Sequence, residues 1–139
     1  MQWTRSRQKI KPDIKGMHKL NKRVVGDTKE LLACNFLSQQ GVKIIERNFR
    51  CRTGEIDIIA KDKTYLCFIE VKYRSDDTFG EPQEAVNFRK QKHICKVSDF
   101  YLYSKYKSFD LPVRYDVVAI SQKDNIFTFK WIKNAFDHI

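Results

Sequence analysis

The chain has 139 residues, 42% of them hydrophobic and 13% aromatic, which is enough for one domain with a buried core and excludes a disordered chain. Apolar runs stop at four or five residues, which excludes a membrane-spanning helix, and no apolar stretch follows the basic N-terminus, so no secretory signal is expected and the cytoplasm is the expected compartment. The net charge is +10, but residues 1–23 hold eight of the 27 Lys/Arg and one of the 17 acids. That imbalance predicts a flexible basic arm over residues 1–22, suited to a polyanion, ahead of a single domain over residues 23–139.

The pattern from Val24 to Gln40 is helical, with Val25, Leu32 and Phe36 on one side of an apolar stripe, Ala33 and Leu37 beside them, and Gly41 as its stop. "VKIIERNFR" (42–50) reads as a strand. "GEIDIIAK" (54–61) and "YLCFIEVKY" (65–73) read as a hairpin about a polar turn, and residues 74–82 as a loop containing Gly80 and Pro82. A long helix is expected from about Glu84 to Lys105, then two strands, "VRYDVVAIS" (113–121) and "NIFTFKWIK" (125–133). The order α-β-β-β-α-β-β predicts an α/β fold: a mixed central sheet flanked by helices. The four cysteines include no C-x-x-C pair and histidine is scarce, so no zinc site is expected and the thiols read as reduced and structural.

The predicted hairpin is unusual in its charge. Two strands dominated by β-branched residues carry Glu55, Asp57, Glu70 and Lys72, and buried charge is costly unless paired or bound to metal. A turn of four residues, Asp62 to Tyr65, sets Asp57 opposite Glu70 and Glu55 opposite Lys72. Ile56, Ile58, Ala60, Cys67, Ile69 and Val71 then form an entirely apolar face, and the charges collect at one end of the other. Side by side, Asp57 and Glu70 repel, and a divalent cation relieves the conflict. Mg²⁺ takes one or two carboxylates plus waters and phosphate oxygens, and Lys72 projects beside Glu70. Asp…Glu-x-Lys on a hairpin is the kit expected for metal-assisted phosphodiester hydrolysis. The bare spacing recurs by chance, and a salt-bridged outer sheet face remains open on the residues alone.

Glu30 borders the apolar stripe of the first helix, either as an ordinary edge residue or aimed at the site. On the long helix Arg89, Lys92, His93 and Lys96 form a basic stripe, read as a solvated face or a phosphate contact. Lys90 and Gln91 fall on the apolar side and need polar partners, which the acidic cluster can supply unless Lys90 bends its head to the rim. Arg50 and Arg52, and Arg74 after the second hairpin strand, are candidate contacts to a nucleic-acid backbone. Arg114 and Asp116 share a strand face and read as a structural ion pair.

The ordered segments "KELLACNFLSQQG", "ERNFRCRTGEIDIIA", "FIEVKYR", "FGEPQEAVNFRKQKHI" and "RYDVVAI" resemble the YraN-like family of small bacterial proteins, over about residues 24–121. That family sits in the PD-(D/E)xK nuclease superfamily beside the archaeal Holliday junction resolvases. The resemblance implies a restriction-endonuclease-like αβββαβ core. It implies a Mg²⁺- or Mn²⁺-dependent endonuclease acting on DNA, with branched DNA as the substrate class, and, because resolvases cut paired strands as twofold dimers, a homodimer. Asp57 and Glu70 match the metal ligands, with the Val71 carbonyl beside them. Lys72 matches the catalytic lysine, Glu30 the acid of the first helix, and Lys90 with Gln91 the "KQ" of the second. Lys29 stands where the family usually has Gly. The alternative expectation is a non-catalytic nucleic-acid-binding module that keeps the fold.

Overall fold

The computed structural model describes residues 2–8, 22–74 and 86–139, with side chains from Thr28 onward. The elements run β1 (Gln2–Gln8), α1 (Lys22–Gln39), β2 (Lys43–Cys51), β3 (Gly54–Asp62), β4 (Tyr65–Arg74), α2 (Phe88–Tyr106), β5 (Val113–Lys123) and β6 (Ile126–Phe136). They build one mixed sheet in the order β1-β6-β5-β4-β3-β2. Only β4 and β5 are parallel, joined by the crossover through α2; every other neighbouring pair is antiparallel. This is the α/β fold expected, consistent with a restriction-endonuclease-like core.

Helices α1 and α2 cover opposite faces, because strand side chains alternate. Ala33, Phe36 and Leu37 of α1 pack on Ile58, Ala60, Cys67, Ile69, Val118 and Phe129, with the Phe36 and Phe129 rings stacked at 4.8 Å. Ile94, Val97, Tyr101 and Leu102 of α2 pack on Ile59, Phe68, Tyr115, Val117 and Ile132. Of the stripe expected on the first helix, Val25 lies outside the described side chains.

Each helix stops where its sequence supplies a cap. At the end of α1 the Val42 N–H donates to Leu37 O and Gly41 N–H to Ser38 O, with Gly41 at φ +86°, where a side chain would strain the backbone. Asn87 caps α2, its side-chain oxygen accepting from the Lys90 N–H at 2.9 Å. The expected helix start at Glu84 is corrected on this point: Asn87 is extended, and α2 begins at Phe88. The expected loop over 74–82 lies outside the described residues except Arg74, which ends β4. Residues 2–8, expected within a flexible arm, form β1 by pairing with the open edge of β6, which satisfies backbone groups that a sheet edge leaves bare; residues 9–21 lie outside the described residues. No helix among the described residues is long and apolar enough to cross a membrane.

A buried polar group ties three strands together. Asp116 is 0% exposed and accepts from Arg114 Nε at 2.9 Å and Nη2 at 2.8 Å, Trp131 Nε1 at 3.0 Å and the Asn134 N–H at 2.9 Å. It fills a bulge in β6, where the register slips between Tyr115 and Val117 and Asn134 adopts φ +53°. Arg114 also reaches Asp62 Oδ2 at 2.8 Å, and Lys133 lies 3.6 Å from the same oxygen. The expected Arg114–Asp116 ion pair is therefore present, inside a larger network. Truncation to Asp116→Ala strands the Trp131 and Asn134 N–H donors and leaves Arg114 with Asp62 as its remaining acid, so it is expected to cost about 3 kcal/mol, read as a lower urea midpoint with unchanged slope.

Candidate functional site

The β3–β4 register runs Asp62↔Tyr65, Lys61↔Leu66, Ala60↔Cys67, Ile59↔Phe68 and Ile58↔Ile69. Continued one step, it sets Asp57 opposite Glu70, as the spacing predicts. The turn is tight because Lys63 takes φ +56° and Asp62 and Tyr65 close the ladder.

Past Ile58 the ladder changes character. The Val71 N–H donates to Asp57 Oδ2 at 2.8 Å, so a side chain takes the place of a strand carbonyl. In β2, Asn48 lies between the partners of Ile58 and Ile56, hence opposite Asp57, and it adopts φ +53°. The period-two alternation breaks here. Ile56, expected on the face of Ile58, packs instead with Ile59 and Val97 on the α2 side. Asn48 is a site-shaping residue that sequence reasoning passed over; the available signal was an asparagine, tolerant of left-handed backbone, inside an apolar strand. Glu55 is a second correction. It does not meet Lys72; it pairs with Arg50 across β2–β3 at 3.1 Å, because β2 stays paired with β3 down to Cys51↔Gly54.

Four groups converge at this end of the hairpin. The Asp57 and Glu70 carboxyls are close enough for each to act on the other's proton affinity. Glu70 is 7% exposed, and its Oε1 lies 3.7 Å from Lys90 Nζ and 3.9 Å from Lys72 Nζ. Lys90 comes from the first turn of α2, which Asn87 starts at the right place. Burial, and after it the charge of Asp57, pushes the Glu70 carboxyl up to about 7 against the opposing pull of the two lysines. Asp57 is also raised, chiefly by burial, with the Val71 N–H holding it back. Both carboxyls are thus held above the usual carboxylate range.

The other candidates fall in different positions. Val71 contributes its N–H to the group. Gln91 lies one residue from Lys90, but its Nε2 donates to Val86 O at 2.9 Å, holding the residue that leads into the helix cap. Glu30 is not among the principal groups acting on either carboxyl; it and Arg47 act on Cys34, on the α1 side of the sheet. Arg50 is turned toward Glu55, and Arg52 and Arg74 are exposed. The β2–β3 turn bearing Arg52 abuts α2, since a Cβ on Gly54, at φ +151°, would lie 3.4 Å from Val97 Cγ2.

Two adjacent carboxylates repel each other and make a good half-shell for a hard divalent cation. No group of three or more His, Cys, Asp or Glu side chains that could hold a metal occurs among the described residues, so any such ion would rely on Asp57 and Glu70 together with waters and substrate oxygens. A cavity of about 450 Å³ between the C-terminal half of α2 and β5–β6, lined by Leu102, Phe109 and Val113 among others, contains none of these four residues.

Comparison with known proteins identifies the family. The family model described as "Uncharacterised protein family UPF0102" matches residues 29–120. A UPF0102 protein of Lachnoclostridium phytofermentans is 45% identical over 118 residues, covering 85% of this chain and 97% of its own. UPF0102 proteins of Clostridium botulinum strain 657 and Clostridium acetobutylicum are each 43% identical over 122 residues, covering 86% of this chain and 98% of their own. With that coverage, and with the acidic pair and lysine seated on the expected hairpin, the chain belongs to UPF0102, the YraN-like family of the PD-(D/E)xK nuclease superfamily.

Proposed function

We propose that the protein is a Mg²⁺- or Mn²⁺-dependent endonuclease that hydrolyses phosphodiester bonds in DNA, with branched DNA as the substrate class. The observation that carries this reading is the buried Glu70 beside Asp57, with the Lys72 and Lys90 ammonium groups within 4 Å of one Glu70 oxygen. A metal held by Asp57 and Glu70, with the Val71 carbonyl assigned by family resemblance, supplies Lewis-acid polarisation of the phosphoryl oxygen and a more acidic bound water.

The chain's own groups do the remainder. The Asp57 carboxylate is oriented by the Val71 N–H, which leaves its other oxygen for a ligand. Lys72 orients the attacking water and donates toward the charge that grows on the phosphoryl oxygens. Lys90 holds a non-bridging oxygen of the scissile phosphate, and Gln91 keeps the start of α2 rigid so that Lys90 arrives there. Arg50, Arg52 and Arg74 give backbone affinity without sequence readout. Glu30 is the residue that the family resemblance makes water-orienting or second-metal-binding.

The alternative, a nucleic-acid-binding module that keeps the fold without cleavage, is favoured by one feature. Both ammonium groups already face Glu70, which gives the acidic pair internal counter-charges. That reading requires salt-sensitive binding, no cleavage in any divalent ion and no metal affinity.

Two outcomes follow from the first reading. Asp57→Ala and Lys72→Ala are each expected to lower cleavage of a branched DNA substrate by roughly 10²-fold or more while retaining binding; variants that cut as fast as the parent with metal supplied would end the assignment. The second outcome concerns protons. Glu70 rises from an ordinary 4.5 to about 7 in the fold, so the metal-free protein binds the extra proton between those values. Stability from this group is full below about 4.5 and is lost as pH climbs through about 7. Metal must expel the same proton, so Mn²⁺ affinity should rise with pH up to about 7 and then level. Titration calorimetry near pH 6 in buffers of different ionisation enthalpy should show proton release for the parent and none for Glu70→Gln.

A further inference from the structure

The outward face of α2 carries a second pattern that the site does not use. Arg89, Lys92, His93 and Lys96 are exposed, and Phe100 and Tyr103 continue the same stripe at i+11 and i+14. The two rings are 52% and 57% exposed. Both are seated: Phe100 leans on Phe49 of β2 at 6.3 Å, and Tyr103 stacks on Phe109 at 6.1 Å with 19° between planes. Lys107 Nζ lies 5.1 Å over the Tyr103 ring. Asp99 is the only acid in α2, and it is bonded to His138 at 2.9 Å. Cations therefore lead and aromatic rings follow along one helix line of about 21 Å. The line starts beside Lys90, which faces the Asp57–Glu70 pair.

We propose that this stripe is a track for an unpaired strand of nucleic acid, with phosphates on Arg89, Lys92 and Lys96 and bases stacked on Phe100 and Tyr103. The inference rests on the nuclease reading and deepens it, by naming a single-stranded segment next to the cut as part of the substrate. The chemistry selects this partner in two steps. A row of cations on a helix whose one acid is already bonded to His138 complements a polyanion. Duplex bases are stacked on one another and offer exposed rings little except backbone, whereas every unpaired base has a free face for an aromatic ring.

The test measures binding without metal, so that it does not depend on cleavage. Fluorescence anisotropy with the full chain in EDTA compares a blunt duplex, the same duplex with a single-stranded tail, and the free single strand. The parent should bind the tailed duplex and the free strand more tightly than the blunt duplex. Phe100→Ala with Tyr103→Ala should weaken binding to both by about tenfold and leave the blunt duplex unchanged. Tyr103→Ala alone, which does not touch Phe49, keeps the test if the double variant melts early. Lys92→Gln with Lys96→Gln should weaken binding to all three and lower the salt slope by about 1.5. Equal binding of tailed and blunt duplexes by the parent, or aromatic variants that bind the single strand like the parent, would overturn the proposal. So would sedimentation in which the aromatic variants change only the oligomeric state. Cleavage assays with Mn²⁺ read the nuclease proposal separately: a parent that never cuts would end that proposal and leave these binding results to stand or fall alone.

Discussion

The register of β3 against β4 is the constraint on which the rest depends. A slip of one residue would turn Asp57 and Glu70 to opposite faces and send Ile59 or Phe68 out of the α2 core. Two devices hold it. The turn closes on Asp62↔Tyr65 with Lys63 in the left-handed region, and Asp62 is gripped from outside by Arg114 of β5 and Lys133 of β6. Burial alone pushes the Asp62 carboxyl up, but its bonds with Arg114 and Lys133 outweigh that and hold it below the usual range. The same Arg114 is anchored by the buried Asp116. The polar network at one end of the hairpin therefore fixes the geometry of the carboxylates at the other.

The two acidic groups solve burial in opposite ways. Asp116 accepts four hydrogen bonds from Arg114, Trp131 and a backbone amide, which is how a buried charge is ordinarily satisfied, and it completes a bulge. Glu70 has cationic head groups near 4 Å and the Asp57 carboxyl acting against it, and its carboxyl is held up to about 7. A structural role would have been better served by the first arrangement. An acid with a raised pKa beside a like charge is the pattern that makes this end of the hairpin the candidate site.

The sequence disclosed the parts that depend on near neighbours. Alternation across 54–61 and 65–73 was enough to pair Ile58 with Ile69, and the helical stripe of residues 32–37 marked the α1 core. Apolar periodicity also separated Lys90 from the basic stripe, and Lys90 does reach Glu70. What was hidden is long-range. The face of Ile56 depends on the left-handed backbone of Asn48 across the sheet, and the partner of Glu55 depends on how far β2 stays paired. β1 has a short polar sequence with no signal of its own; its pairing comes from the bare edge of β6. The sequence leaves Glu30 either an edge residue of α1 or aimed at the site, and in the fold its charge is felt by Cys34.

That division between faces gives the molecule its chemical polarity. On the α1 side, Phe36, Phe129 and Trp131 close the sheet with hydrocarbon and rings. On the α2 side the hydrocarbon stops short, and the first turn of the helix ends over two carboxylates. Counted together, Asp57, Glu70, Lys72 and Lys90 carry a net charge of +1 while Glu70 is protonated and zero once it ionises. A phosphate approaching the metal-free site thus meets no net repulsion, although two acids lie beneath it. Under the nuclease reading, Asp57 and Glu70 would hold the divalent ion, and the two ammonium groups would then no longer be needed as counter-charges to Glu70. The lysines that hold the acids together in its absence then become the groups that face the phosphate.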